Sequence, residues 1–382
     1  MNATHHRIAV NIGGGYIPGL GAVIAGVIRA ASELGWKVVG ICDGFDGLLF
    51  PERYATGGLI QLTPAILDSS LDEIAASLGS NPRTDPFRVQ TANSDNQIEE
   101  QDRSDELLAR IGEHGIDVVI SLVGSQALSV VFRLHRKGLK TVCIPKSVEN
   151  DLAVTQLSFG FNSALSFAVE MLESARVAAR SARKIGIVEV PGEHAGWLAL
   201  QAGIAVCADA VLLPEIPYYL GSIAAKLKAK LAAGKPYGLV VVAEGARSAV
   251  SSDAGPEHPL KRSLSPLAGD EQGRFAINGA GRVAQSVALE LQRLTDCETY
   301  PLVLGQWIKG GPLTAIDRQL GLSYGAAGVR AIEEGRTGVM VAFEPPEIKF
   351  VPLQEAINKI RTVPVDSLFV EAARSLGIAL GE

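Results

Sequence analysis

Ile8-Ala-Val-Asn-Ile-Gly-Gly-Gly-Tyr-Ile-Pro-Gly19 is a short apolar run that stops abruptly in glycines. So compact an apolar run reads as a strand buried on both faces. The residues from Gly19 to Leu34 then carry an apolar period close to that of a helix. The theme returns in Lys37-Val-Val-Gly-Ile-Cys42, Asp117-Val-Val-Ile-Ser-Leu-Val123, Lys140-Thr-Val-Cys-Ile144, Lys184-Ile-Gly-Ile-Val-Glu-Val190, Ala210-Val-Leu-Leu213 and Gly238-Leu-Val-Val-Val-Ala243. Helical periods such as 102–114 and 163–182 separate these runs. The pattern predicts an α/β chain of mainly parallel sheets with helices on both faces. A chain of 382 residues is ample for two such lobes. The stretch 248–273, rich in Ser, Pro, Gly and Asp, reads as a loop.

Composition narrows the partners. Lys+Arg number 35 against 41 Asp+Glu, a formal charge of −6, and no block of like charge stands out. A nucleic-acid or anionic-membrane surface needs a clustered basic footprint, so neither partner is expected. Cys42, Cys143, Cys207 and Cys297 are widely spaced with no C-x-x-C pair, and they read as buried thiols in a reduced, cytoplasmic protein. No secretion signal is evident after Arg7. The most apolar segment, Trp197 to Leu213, is short for a membrane span and carries Asp209, so it reads as a buried helix feeding a strand.

In a doubly wound sheet, ligands sit beyond the carboxyl ends of the strands, so those ends hold the candidate chemistry. The first gives Gly13-Gly-Gly15 before a helix, which is either a tight turn or a phosphate cradle. Others give Val123-Gly-Ser-Gln126, Pro145-Lys-Ser-Val-Glu-Asn-Asp-Leu152, Pro191-Gly-Glu-His-Ala-Gly196, Leu213-Pro-Glu215, Val242-Ala-Glu-Gly245 and Leu304-Gly-Gln-Trp-Ile-Lys-Gly-Gly-Pro312. No G-x-S-x-G elbow is present, and no two histidines have metal-ligand spacing.

Taken in order, these segments resemble the phosphofructokinase family, which moves a phosphoryl group from ATP or pyrophosphate to fructose 6-phosphate. Gly14-Gly-Tyr-Ile-Pro-Gly19 resembles its opening loop, Gly44-Phe-Asp-Gly-Leu-Leu49 its next turn, and Gly160-Phe-Asn-Ser-Ala164 its GFDTA. Gly310-Gly-Pro-Leu-Thr-Ala-Ile-Asp-Arg318 is similar to its GGxPxxxDR, and the tail from Val351 to Glu382 to that of longer bacterial members. The resemblance implies two interleaved Rossmann-like lobes: 1–160 with 317–370 binding the phosphoryl donor, 161–316 binding the sugar phosphate, and 371–382 a C-terminal tail.

The resemblance also implies a site. Its catalytic set falls on Lys146, Ser147, Glu149 and Asp151, with Glu149 where the family has an aspartate. Donor contacts fall on Gly14, Gly15, Tyr16, Gly124 and Ser125. Substrate contacts fall on Lys184, Glu193, Glu215, Lys309 and Arg318, with Glu193 and Lys309 where the family has arginines. The family's LGSxR turn appears as Leu78-Gly-Ser-Asn-Pro82, its arginine displaced to Arg83. The family's acidic metal ligand is Val123 here, leaving Ser125 and Asp151 as nearby oxygen donors for any Mg²⁺. Gly124 leaves room for ATP, whereas Lys146 is a residue that pyrophosphate users show.

Two readings follow. One is a diverged phosphotransferase, slow on fructose 6-phosphate and suited to a sugar less anionic at the Glu193 end or carrying an amine. The other is a silent binding or regulatory protein on the same scaffold, paired with an active paralogue. In either case the family resemblance implies a homodimer or homotetramer, with Arg183-Lys184 reaching a neighbour's site.

Overall fold

The computed structural model describes residues 6–68, 70–79, 85–92, 98–249 and 281–382. Arg83 and all but the first two residues of the 248–273 stretch lie outside the described residues. The chain forms two compact units: 1–147, 152–163 and 312–360 in the first, and 148–151, 164–311 and 361–382 in the second.

The first unit is built on a seven-stranded sheet. In chain order its strands are β1 (Arg7–Ile12), β2 (Lys37–Ile41), β3 (Leu59–Gln61), β6 (Val118–Val123), β7 (Thr141–Pro145), β12 (Val339–Glu344) and β13 (Glu347–Pro352), with β4 (Val89–Ala92) and β5 (Ile98–Gln101) paired antiparallel in a separate two-stranded sheet. The order across the sheet is β13-β12-β7-β6-β1-β2-β3; the β2–β3 and β12–β13 pairs are antiparallel and the rest parallel. Every residue of β6 and β7 is buried, which is why these strands read as near-continuous apolar runs. The second unit holds β8 (Ile185–Val190), β9 (Ala210–Leu212), β10 (Gly238–Ala243) and β11 (Thr299–Val303), all parallel, in the order β11-β8-β10-β9.

The sequence reading carried the first lobe to 370 and set 371–382 apart; the structure groups 361–382 with the second unit. Backbone pairing explains the difference. The Val363 N–H donates to Glu215 Oε1, and Val211 N donates to Ala379 O beside β9. The segment from Trp197 divides into the helix Trp197–Ala205 and β9, as its length and Asp209 required. Among the described residues no helix is long and apolar enough to cross a membrane. Cys42 and Cys143 are buried, but Cys207 is exposed, because it lies in the left-handed turn (φ 47°) after that helix.

One packing constraint governs the first unit. The helix Leu20–Glu33 is buried all round from Leu20 to Ile28 and again at Ala31, as an apolar helix inside the unit is. Its Gly26 lies so close to the helix Ala315–Glu333 that an added Cβ would stand 2.3 Å from the Leu322 carbonyl oxygen. Backbone cannot yield as a side chain can. Gly26→Ala should therefore lower stability by roughly 1–3 kcal/mol in urea melts. Gly112→Ala, with no atom within 4 Å of the new Cβ, should raise it by about 0.4–1 kcal/mol.

Candidate functional site

The end of β1 is shaped by closeness. The Gly13 N–H donates to the Leu122 carbonyl at 2.9 Å, and a Cβ on Gly13 would lie 2.7 Å from that of Ala127. Gly14 has φ 85°, a conformation that glycine adopts without strain. Lys146, only 6% exposed, donates from Nζ to the Gly15 carbonyl at 2.7 Å, while its backbone N–H donates to Val123 O at 2.9 Å. The structure thus brings together Gly14, Gly15 and Lys146, with Gly124 immediately ahead of the helix Ser125–Arg136. Tyr16 is 37% exposed and Ser125 is exposed. A cavity of about 480 Å³ opens here, lined among others by Asn11, Gly13, Gly14, Phe45, Gln126 and Arg133. A glycine turn, a lysine and a helix N-terminus together suit an anion such as a phosphate.

The end of β6 presents an apolar side chain rather than a metal ligand. Val123 is 0% exposed and packs in an apolar cluster with Val119, Leu128, Val131 and Leu152. Among the described residues no three His, Cys, Asp or Glu side chains converge to hold an ion. The Val123 position therefore offers no oxygen ligand to a Mg²⁺ ion.

The second unit contains a group of carboxyls. Residues 148–151 fold with it, although Ser147 and Leu152 belong to the first unit. Glu149 is pushed up to about 8, first by burial and then by Asp151 and Glu244; Glu193 adds repulsion through its carboxylate but opposes the rise by donating its backbone N–H. Glu244 is also raised, mainly by burial, while accepting from the Gly192 N–H at 3.4 Å. Lys309 is lowered by burial and held up by Glu149 and Glu244. A proton-holding carboxyl facing an ammonium group can exchange protons with a substrate hydroxyl near neutral pH.

The other predicted residues make the following contacts. Glu215 Oε1 accepts from Gly196 at 3.0 Å and from Val363 at 2.8 Å, so its carboxylate anchors the start of one helix and the C-terminal segment. Lys184 pairs with Glu298 of its own chain at 2.6 Å. Arg318 is exposed in the first unit, where it lines a cavity with Arg29, Leu67 and Leu313. Its neighbour Asp317 is buried, and Oδ2 accepts from Ser163 N at 2.6 Å, which joins two of the family-like motifs structurally. Ser147 is buried, its N–H donating to Phe159 O at 3.4 Å.

Glu244 is the residue that sequence reasoning left unassigned. Its signal was the glycine that follows it: a Cβ on Gly245 would come 2.0 Å from the Glu193 carbonyl oxygen. Only glycine there lets the 191–196 loop lie against the end of β10.

The chain thus forms two α/β units, one with a glycine turn beside Lys146 and the other with a carboxyl-lysine group. The phosphofructokinase family profile matches residues 7–332, and the chain belongs to that family. It is 36% identical to the ATP-dependent 6-phosphofructokinase of Chloroflexus aggregans, over 100% of this chain and 99% of that one. It is 33% identical to the ATP-dependent 6-phosphofructokinase 1 of a Synechocystis strain, over 98% of each. The crystal structure of a pyrophosphate-dependent phosphofructokinase from Marinobacter aquaeolei shares the fold, with a TM-score of 0.71 at 19% identity, covering 99% of this chain and 92% of that one.

The carboxyl group makes stability depend on pH with a definite sign. Between the unfolded value of 4.5 and the folded value of about 8, the folded state holds a proton at Glu149 that the unfolded chain releases. Stability is therefore lost as pH rises across that window. Glu149→Gln removes this loss. The melting temperature of the variant, relative to wild type, should climb from pH 5 to pH 8 and then level, as scanning calorimetry would show.

Proposed function

We propose that this protein is a phosphotransferase that carries a phosphoryl group from ATP to a hydroxyl of a sugar-like acceptor. The observation that carries the reading is the raised Glu149 carboxyl beside Lys309. As carboxylate, Glu149 accepts the proton of the attacking hydroxyl; Lys309 supplies positive charge close to it. The Gly14-Gly15 turn and Lys146 cradle the donor phosphates, and Gly124 leaves space for a nucleotide. The relatives named ATP-dependent support ATP over pyrophosphate.

The acceptor is argued from charge. Asp151, Glu193 and Glu244, joined by Glu149 once it loses its proton, outnumber Lys309, and a dianionic phosphate would be repelled. An acceptor less anionic at the Glu193 end, or one bearing an amine, suits the group better than fructose 6-phosphate does. The protein works as a homodimer or homotetramer in the cytoplasm on this reading, with Arg183 and Lys184 offered to a neighbouring copy. The silent-scaffold reading, with an active paralogue as partner, is favoured by one observation, the burial of Val123 in an apolar cluster.

The test is a steady-state assay with ATP over a panel of sugars, amino sugars and sugar phosphates, beside the Chloroflexus aggregans relative. Fructose 6-phosphate should turn over at least about 1000-fold more slowly than with the relative, since two preorganised groups are altered. With the best acceptor, the rate should rise with pH and level above about 8 as Glu149 loses its proton. Glu149→Gln should lower kcat by about 100- to 10,000-fold and leave ATP affinity unchanged. Failure of every acceptor, with ATP still bound, would support the silent scaffold; turnover unchanged in Glu149→Gln would remove Glu149 as the base.

A further inference from the structure

Arg361 opens the C-terminal segment that folds with the second unit. Its guanidinium carbon lies 4.0 Å from the centroid of the Trp197 ring, and its Nη1 donates to the Asn150 carbonyl at 3.3 Å. Its backbone N–H donates to the Asp151 carbonyl at 2.7 Å, and its own carbonyl accepts from Trp197 Nε1 at 2.8 Å. Phe369 meets the same indole edge-on, with centroids 6.4 Å apart. One residue thus meets two consecutive carbonyls immediately after Glu149. It is itself fixed by an aromatic platform, and a stacked guanidinium holds its donors in a set plane.

Those carbonyls need holding. Asn150 has φ 55°, a left-handed conformation that asparagine tolerates but seldom adopts without support. It is also buried, so its carbonyl cannot turn to bulk water without disturbing the loop. From the other side, the Glu193 backbone N–H reaches the Glu149 carboxylate. The base therefore sits on a loop pinned at two ends: from the 191–196 turn at the side chain, and from Arg361 at the backbone.

We propose that Arg361 is a positioning residue that fixes the 148–151 loop, and through it the carboxyl of Glu149, against the acceptor. The inference rests on the reading of Glu149 as the base, and it adds a role for a segment that follows every motif used to find the site. Arg361 is not proposed to touch the acceptor. Displacing a catalytic group by about 1 Å can cost on the order of 100-fold in rate, which is the scale expected if the loop relaxes.

Arg361→Ala tests this in two arms. In the kinetic arm kcat should fall about 100-fold with the acceptor KM and the ATP affinity unchanged, because geometry rather than binding is lost. Millimolar guanidinium ion should restore part of kcat in Arg361→Ala and none in Glu149→Gln. In the exchange arm, backbone amides at 148–152 should exchange hydrogen faster in Arg361→Ala, while those at 376–381 keep wild-type rates. An unchanged kcat, a rise in KM alone, or the absence of guanidinium rescue would overturn the proposal. So would unchanged exchange at 148–152, or equal loosening of 376–381, which would make Arg361 a general anchor of the tail. If wild type phosphorylates nothing, the base reading fails, and the exchange arm still decides whether Arg361 fixes the loop.

Discussion

A carboxyl taken out of water beside other carboxyls is costly, and a protein meets that cost by keeping it protonated. Glu149 is in this position: burial raises its pKa most, and Asp151 and Glu244 add to the effect. The surroundings must then be rigid, since a loop free to move would expose the group and let it ionise. The Gly192 N–H on Glu244, the left-handed Asn150 and the backbone bonds of Arg361 supply that rigidity. Lys309, lowered by its own burial and held up by Glu149 and Glu244, completes the group.

The cradle at the end of β1 rests on different physics. It needs no unusual ionisation, only glycines where side chains would collide and a lysine fixed by the Gly15 carbonyl. Its departure from the family pattern is Val123. A valine at the end of a buried strand packs well against Leu128 and Val131, so the strand gains apolar contact where an oxygen ligand would otherwise stand.

Much of this was legible in the chain itself. Period and run length located the strands because fully buried parallel strands leave little doubt: β6, β7, β8 and β10 are apolar almost throughout. Glu149, Lys146 and Lys309 could be found from local patterns at strand ends. Glu215 could not be told from Glu244 in the same way. Both end buried strands, and only the three-dimensional structure shows that the first is tied to Gly196 and Val363 while the second joins Glu149. The motif that ends in Arg318 is held together by the buried Asp317, whose carboxylate accepts from Ser163 N, and that bond spans too many residues to be read from the sequence. Arg361 was invisible because its partners, Trp197 and Asn150, lie more than a hundred residues away in the chain.

The central claim is that Glu149 holds its proton near neutral pH in the folded protein. Carbon-13 NMR of the glutamate carboxyls follows this directly, with the resonance of Glu149 assigned by its loss in Glu149→Gln. The account predicts that this resonance titrates with a midpoint near 8. A midpoint near 4.5, the ordinary glutamate value, would contradict it, and would mean that water reaches the carboxyl freely.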